Sequence, residues 1–215
     1  MTGGSPGQDV ARLLAGARVI PVITIRDPAQ AGPLAEALKA GGLPCAEVTL
    51  RTDAAEEAIR IMSQDPEMLI GAGTVLSKDQ AERAVGAGAR FIVTPGLSGK
   101  VVRSCQDRSI PVIPGAVTAT EIGTALDEGV RVVKFFPAAT MGGLAALRAL
   151  AGPFPMMRFI PTGGVTAGNM AEYLGLSCVL AVGGSWVVAP DLLASDNYAE
   201  VTRRAGAAVS LAAGA

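Results

Sequence analysis

Short runs of apolar, often β-branched residues alternate along the chain with longer segments rich in Ala, Leu and Glu. The runs lie at 18–25 (RVIPVITI), 45–50, 68–72, 91–94, 111–115, 130–136, 158–161 and 178–182. Each has the length and composition of a strand buried on both faces, as in a parallel sheet covered by helices. The segments between them predict helices starting near Pro28, Ala54, Ser77, Ser98, Thr118, Gly142 and Asn169, after an opening helix over 9–15 and before a closing one over 198–213. Gly41-Gly42, Gly86 with Gly88, Gly129 and Gly152-Pro153 follow helical stretches, where glycine ends a helix at little steric cost. Eight strand–helix units in 215 residues predict a single α/β domain, a (β/α)8 barrel over 9–215, with 1–8 as a flexible leader. An open doubly wound sheet is the alternative. Such sheets carry a glycine-rich turn after the first strand, and here that turn reads Arg26-Asp27-Pro28.

Composition narrows the partners. Eighteen Lys and Arg against nineteen Asp and Glu leave a formal net charge of −1, which gives no basic excess to hold nucleic acid or an anionic membrane surface. Small metabolites are the expected partners. Cys45, Cys105 and Cys178 form no CxxC pair, which suggests structural thiols in a reducing, cytoplasmic setting. The start, MTGGSPGQD, lacks the cationic and apolar regions of a secretory signal. The chain has no histidine. That removes Ser-His-Asp and Cys-His pairs, and it argues against a catalytic zinc or iron. Acid/base work must then fall to carboxylates, lysine, tyrosine or water.

Against this background one residue is out of place. Lys134 lies inside VVKFFP, residues 132–137, and shares its strand face with Val132 and Phe136. Burial disfavours a charged ammonium and favours the neutral, nucleophilic amine. An edge-strand lysine that blocks aggregation or reaches back to water is the other reading of the same pattern.

Further polar residues fall at the C-terminal ends of strands, where barrels carry their chemistry. The second strand ends AEVTLRT, placing Glu47, Thr49 and Arg51 on one face. If that face is the interior, a carboxylate and a guanidinium sit side by side at the mouth; a structural Glu–Arg pair is the alternative. The third strand ends in GAGT (71–74) and the fourth in TPG (94–96), the latter with a proline that serves to shape its loop. The seventh and eighth end in PTGG (161–164) and GGS (183–185), the two loops where barrels often hold phosphate on backbone N–H groups. An amine that condenses with a ketone, an arginine that grips a carboxylate and a glutamate that moves protons suit Schiff-base chemistry on a 2-keto acid.

On PVI (21–23), EVTLRT (47–52), GAGTVL (71–76), TPGL (94–97), PVIPG (111–115), VKFFPA (133–138), GPF (152–154), PTGGV (161–165) and GGSW (183–186), the chain resembles the bacterial 2-keto-3-deoxy-6-phosphogluconate (KDPG)/4-hydroxy-2-oxoglutarate aldolases. The resemblance implies a class I lyase of the Entner-Doudoroff pathway on a (β/α)8 barrel, a homotrimer that needs no metal or other cofactor. It implies Lys134 as the Schiff-base lysine and Glu47 as the general acid/base, with Arg51 and Thr74 binding the pyruvoyl carboxylate. Pro95 and Phe136 would line the substrate, and Thr162, Gly163, Gly164, Gly184 and Ser185 would hold its phosphate end. The loop over 139–141 is less polar than the resemblance would suggest. Rival readings on the same barrel are an aldolase for the C4-epimeric galactonate substrate, a sugar-phosphate isomerase or epimerase, and a non-catalytic phosphosugar-binding protein.

Overall fold

A computed structural model describes residues 6–215. Its strands are β1 Val19–Ile23, β2 Cys45–Thr49, β3 Leu69–Gly73, β4 Phe91–Val93, β5 Val112–Ile113, β6 Val132–Phe135, β7 Arg158–Pro161 and β8 Val182–Gly184. They hydrogen-bond in the order β5-β4-β3-β2-β1-β8, with β6 and β7 paired separately, and every registered pair is parallel. Single parallel bridges close the ring: Gly115 to Lys134 joins β5 to β6, while Phe159 to Val179 and Thr162 to Gly183 join β7 to β8. The result is the expected (β/α)8 barrel.

The helices are α1 Pro6–Ala17, α2 Ala31–Ala40, α3 Ala55–Met62, α4 Lys78–Gly86, α5 Gly99–Gln106, α6 Ala119–Asp127, α7 Gly143–Ala151, α8 Met170–Leu174, α9 Pro190–Ala194 and α10 Tyr198–Ala213. Several begin where the sequence places a hydroxyl. Ser77 accepts from the N–H of Gln80, Ser98 from that of Val101, and Thr118 forms a capping box with Glu121. Each cap satisfies amides that the first helical turn leaves without partners. A single 3-10 turn, Pro28–Gln30, precedes α2 and is capped by Asp27.

Most strand bounds shift by one or two residues, three elements depart for identifiable reasons, and one helix is additional. α1 starts at Pro6, so residues 6–8 are helical, and residues 1–5 of the expected leader lie outside the described residues. β5 shortens to Val112–Ile113 because Pro111 and Pro114 have no N–H for the ladder. The last strand runs Val182–Gly184 and not 178–182. Residues 178–180 lean on β7 instead, where Phe159 N–H donates to Cys178 O (2.8 Å) and Leu180 N–H to Phe159 O (2.9 Å). α9 was not anticipated; Pro190 starts it with a preset φ.

The core is continuous from the barrel interior into the helix layer, and Val48, Ile70, Ala72, Ile92, Val133 and Phe135 are fully buried. Among the described residues no helix is long and apolar enough to cross a membrane.

Candidate active site

Lys134 and Glu47 stand on strands that face each other across the barrel, β6 and β2. The register of β6 fixes the lysine: its N–H donates to Pro114 O and its carbonyl accepts from Ala116 N–H, each at 2.9 Å. From there Nζ reaches across and donates to Glu47 Oε1 at 2.8 Å, with the two side chains only 7% and 5% exposed. The Phe136 ring covers the ammonium, its centroid 5.2 Å from Nζ. Lys134 is therefore an interior residue and not an edge-strand one. Removing two charges from water costs several kcal/mol per ion, and the short contact offsets part of that cost.

The expected pairing of Glu47 with Arg51 is not what forms. Strand alternation does put Glu47, Thr49 and Arg51 on one face, but successive inward residues rise along the barrel axis. Glu47 and Thr49 are buried at 3% and 1% exposure, while Arg51 is exposed beyond the strand end. Arg51 Nε instead donates to Thr74 Oγ1 at 3.3 Å, joining the ends of β2 and β3. Thr74 holds φ 56°, a left-handed conformation that costs a threonine energy, and it directs the hydroxyl to the guanidinium. Between the two levels Thr49 donates to Ile23 O (3.0 Å) and shares a 2.8 Å contact with Thr24 Oγ1, so the intervening polar atoms are satisfied.

At the end of β4 Thr94 Oγ1 donates to Gly96 O at 2.6 Å, which tightens the turn and leaves Pro95 half-buried. The β7 and β8 loops meet through the Thr162–Gly183 bridge. Gly163 and Gly164 adopt φ 91° and 78°, which residues with a side chain rarely do. Ala138 N–H donates to Thr162 O (2.8 Å) and Ala139 N–H to Gly163 O (3.0 Å), so the β6 loop is clipped to the β7 loop. Thr162, Gly183 and Gly184 are buried and Ser185 is exposed beyond them. Thus Lys134, Glu47 and Phe136 form one cluster, Arg51 and Thr74 a second, and Thr162, Gly163, Gly164, Gly184 and Ser185 a third.

Sequence reasoning assigned no part to Trp186, whose ring occupies the space a side chain at Gly184 would need. Its carbonyl accepts from Arg204 Nη1 of α10 at 2.9 Å, so the β8 loop is braced from α10. The chain's single tryptophan, two positions after paired glycines, was the available signal. A separate cavity of about 470 Å³ lies between Thr166–Gly168, Trp186 and α10, and none of Lys134, Glu47, Arg51 or Thr74 lines it. Burial pushes the Cys45 thiol up to about 12 and the Cys105 thiol up to about 11, which leaves both protonated at neutral pH and consistent with structural thiols.

A family model for KDPG and KHG aldolase matches residues 10–204. The 2-dehydro-3-deoxy-phosphogluconate aldolase of Treponema pallidum (strain Nichols) is 49% identical over 186 residues, covering 86% of this chain and 89% of that protein. The KHG/KDPG aldolase of Escherichia coli (strain K12) is 44% identical over 192 residues, covering 89% and 90%. The crystal structure of the Legionella pneumophila KDPG aldolase, with pyruvate captured at low pH as a covalent carbinolamine intermediate, superposes with a TM-score of 0.89 at 42% identity, covering 92% of this chain and 96% of that one. The Zymomonas mobilis ZM4 aldolase with 3-phosphoglycerate gives a TM-score of 0.89 at 41% identity, covering 95% and 97%. With its barrel closed around a buried Lys134–Glu47 pair, this chain belongs to the KDPG and KHG aldolase family.

Proposed function

We propose that the protein is a class I aldolase that reversibly cleaves 2-keto-3-deoxy-6-phosphogluconate to pyruvate and glyceraldehyde 3-phosphate through a Schiff base on Lys134. The observation that carries this reading is the buried 2.8 Å contact between Lys134 Nζ and Glu47 Oε1. An amine attacks a ketone only when unprotonated, and the group placed to take its proton is this carboxylate. The relative from Legionella pneumophila, with pyruvate bound as a carbinolamine, supports the same chemistry here.

Lys134 adds to the C2 carbonyl, and loss of water leaves a protonated imine. Glu47, directly or through a water, removes the proton of the C4 hydroxyl; the C3–C4 bond breaks and its electron pair flows into the imine. Glyceraldehyde 3-phosphate departs as the aldehyde. The enamine is reprotonated at C3, and hydrolysis of the imine frees pyruvate and the amine. The iminium is the electron sink, so the proposed cycle calls for no metal. Arg51 and Thr74, already joined at 3.3 Å, bind the pyruvoyl carboxylate at the mouth. Pro95 and Phe136 line the chain of the substrate. Thr162, Gly163, Gly164, Gly184 and Ser185 hold the phosphate, a role favoured by the backbone that the two left-handed glycines expose. We propose that the same site also takes 4-hydroxy-2-oxoglutarate, a five-carbon substrate that ends in a C5 carboxylate where KDPG has its C5 hydroxyl and C6 phosphate. We further propose a homotrimer working in the cytoplasm, on the family resemblance alone.

The test is reductive trapping. Pyruvate with borohydride is expected to inactivate the protein and leave one reduced pyruvate per chain, mapped by peptide mass spectrometry to Lys134. An adduct on another lysine, or none, overturns the assignment.

A further inference from the structure

We infer that Gly73 is a positioning residue for Glu47: its missing side chain is the space through which the carboxylate reaches Lys134. The inference rests on the reading of Glu47 as the proton carrier. Glu47 pairs in register with Gly71, and Thr49 with Gly73, so both glycines present their bare Cα to the interior face that carries Glu47. The ring of Phe91, in register with Gly71 on the other side, fills the place a side chain at Gly71 would take. The Glu47 side chain fills the place at Gly73. A Cβ built there would overlap Oε1, the same atom that accepts from Lys134 Nζ, and would lie 2.6 Å from Cγ and 2.7 Å from Cδ.

Those distances are well inside van der Waals contact, and the side chain they strike is not at liberty to yield. Glu47 is 3% exposed, so it has no solvent to swing into without abandoning its partner. Nor does the backbone require glycine at this position, since Gly73 is absent from the positive-φ glycines while Gly163 and Gly164 are among them. Space is thus the reason for glycine here. An alanine at 73 should displace the carboxylate from the amine while leaving the β3 ladder and the Arg51–Thr74 pair in place.

The experiment is a mutant cycle of Gly73→Ala and Glu47→Ala, with kcat, KM and melting temperature measured for each protein. Gly73→Ala alone is expected to lower kcat for KDPG cleavage by about 10-fold or more, with KM little changed, since only the acid/base step is misplaced. In the Glu47→Ala background the added methyl enters vacated space, and Gly73→Ala should then change neither kcat by more than about twofold nor the melting temperature. Equal losses in both backgrounds would show that glycine serves the fold and would overturn the inference, as would full turnover in Gly73→Ala alone. If Gly73→Ala does not fold, recovery of folding in the double variant supports the inference and failure to recover overturns it. Full turnover in Glu47→Ala would instead overturn the proton-carrier role, and the melting-temperature cycle would still judge Gly73 by itself.

Discussion

Lys134 Nζ and Glu47 Oε1 meet at 2.8 Å across the barrel although 87 positions separate them in the chain. Among the described residues each is the other's only ion-pair partner, so the pair is a structural unit as well as the centre of the proposed chemistry.

The acid/base role predicts the behaviour of Glu47→Gln. The amide keeps the shape but cannot take a proton, so turnover should fall by about 100-fold or more while slow borohydride trapping on Lys134 persists. Steady-state cleavage at near-normal rate would make Glu47 structural only.

Breaking the pair from the other side should show in stability. Lys134→Met leaves a buried carboxylate without its partner and is expected to cost about 3 kcal/mol in urea unfolding, on top of complete loss of trapping. Adding Glu47→Leu should recover most of that loss. Unchanged unfolding midpoints would mean that water reaches the carboxylate freely.

Arg51 lies at the mouth and not in the pair, so Arg51→Ala should act on binding. We expect KM for the 2-keto acid to rise about 10-fold or more, the range for a lost charge-assisted contact, with smaller change in kcat. A fall confined to kcat would place the guanidinium at the reacting carbon.

The β7 and β8 loops give a test that separates two substrates. A carboxylate in Ser185→Asp should repel a phosphate dianion, lowering kcat/KM for KDPG sharply while cleavage of 4-hydroxy-2-oxoglutarate and pyruvate trapping change little. Equal loss on both would assign Ser185 to fold or chemistry; no loss on either would place the phosphate elsewhere.

A last prediction concerns acid stability. Hydrogen bonds from Arg203 and then Arg204 hold the Glu200 carboxyl down at about 2. A carboxyl whose folded pKa is depressed adds stability above its unfolded pKa of about 4.3 and loses it as pH falls through the folded value. Glu200→Gln should therefore melt below the parent protein at pH 6, and the gap should close towards about pH 2. A gap independent of pH would mean that ionisation of Glu200 is not what stabilises the parent protein.

The order of strands and helices was legible because it depends on local pattern. Apolar runs marked the strands, and Ser77, Ser98 and Thr118 marked helix starts through caps that span three residues. Lys134 could be singled out for the same reason, since a charge inside VVKFFP is anomalous in any fold that buries it. Where chain-local chemistry was ambiguous the boundaries slipped, as at residues 178–182, whose apolar side chains suit a strand beside either neighbour.

What the sequence could not decide is which polar groups meet. Glu47 and Arg51 alternate onto one face, which made them look like partners, yet the rise per residue sets them at different depths, and the closed ring brings Lys134 to the deeper one. That pairing depends on barrel closure between β5 and β6 and, on the inference above, on Gly73, a strand position whose missing side chain leaves room for Glu47. Local pattern determines the elements; only packing in three dimensions determines the distances between their side chains, and the proposed proton transfer depends on those distances.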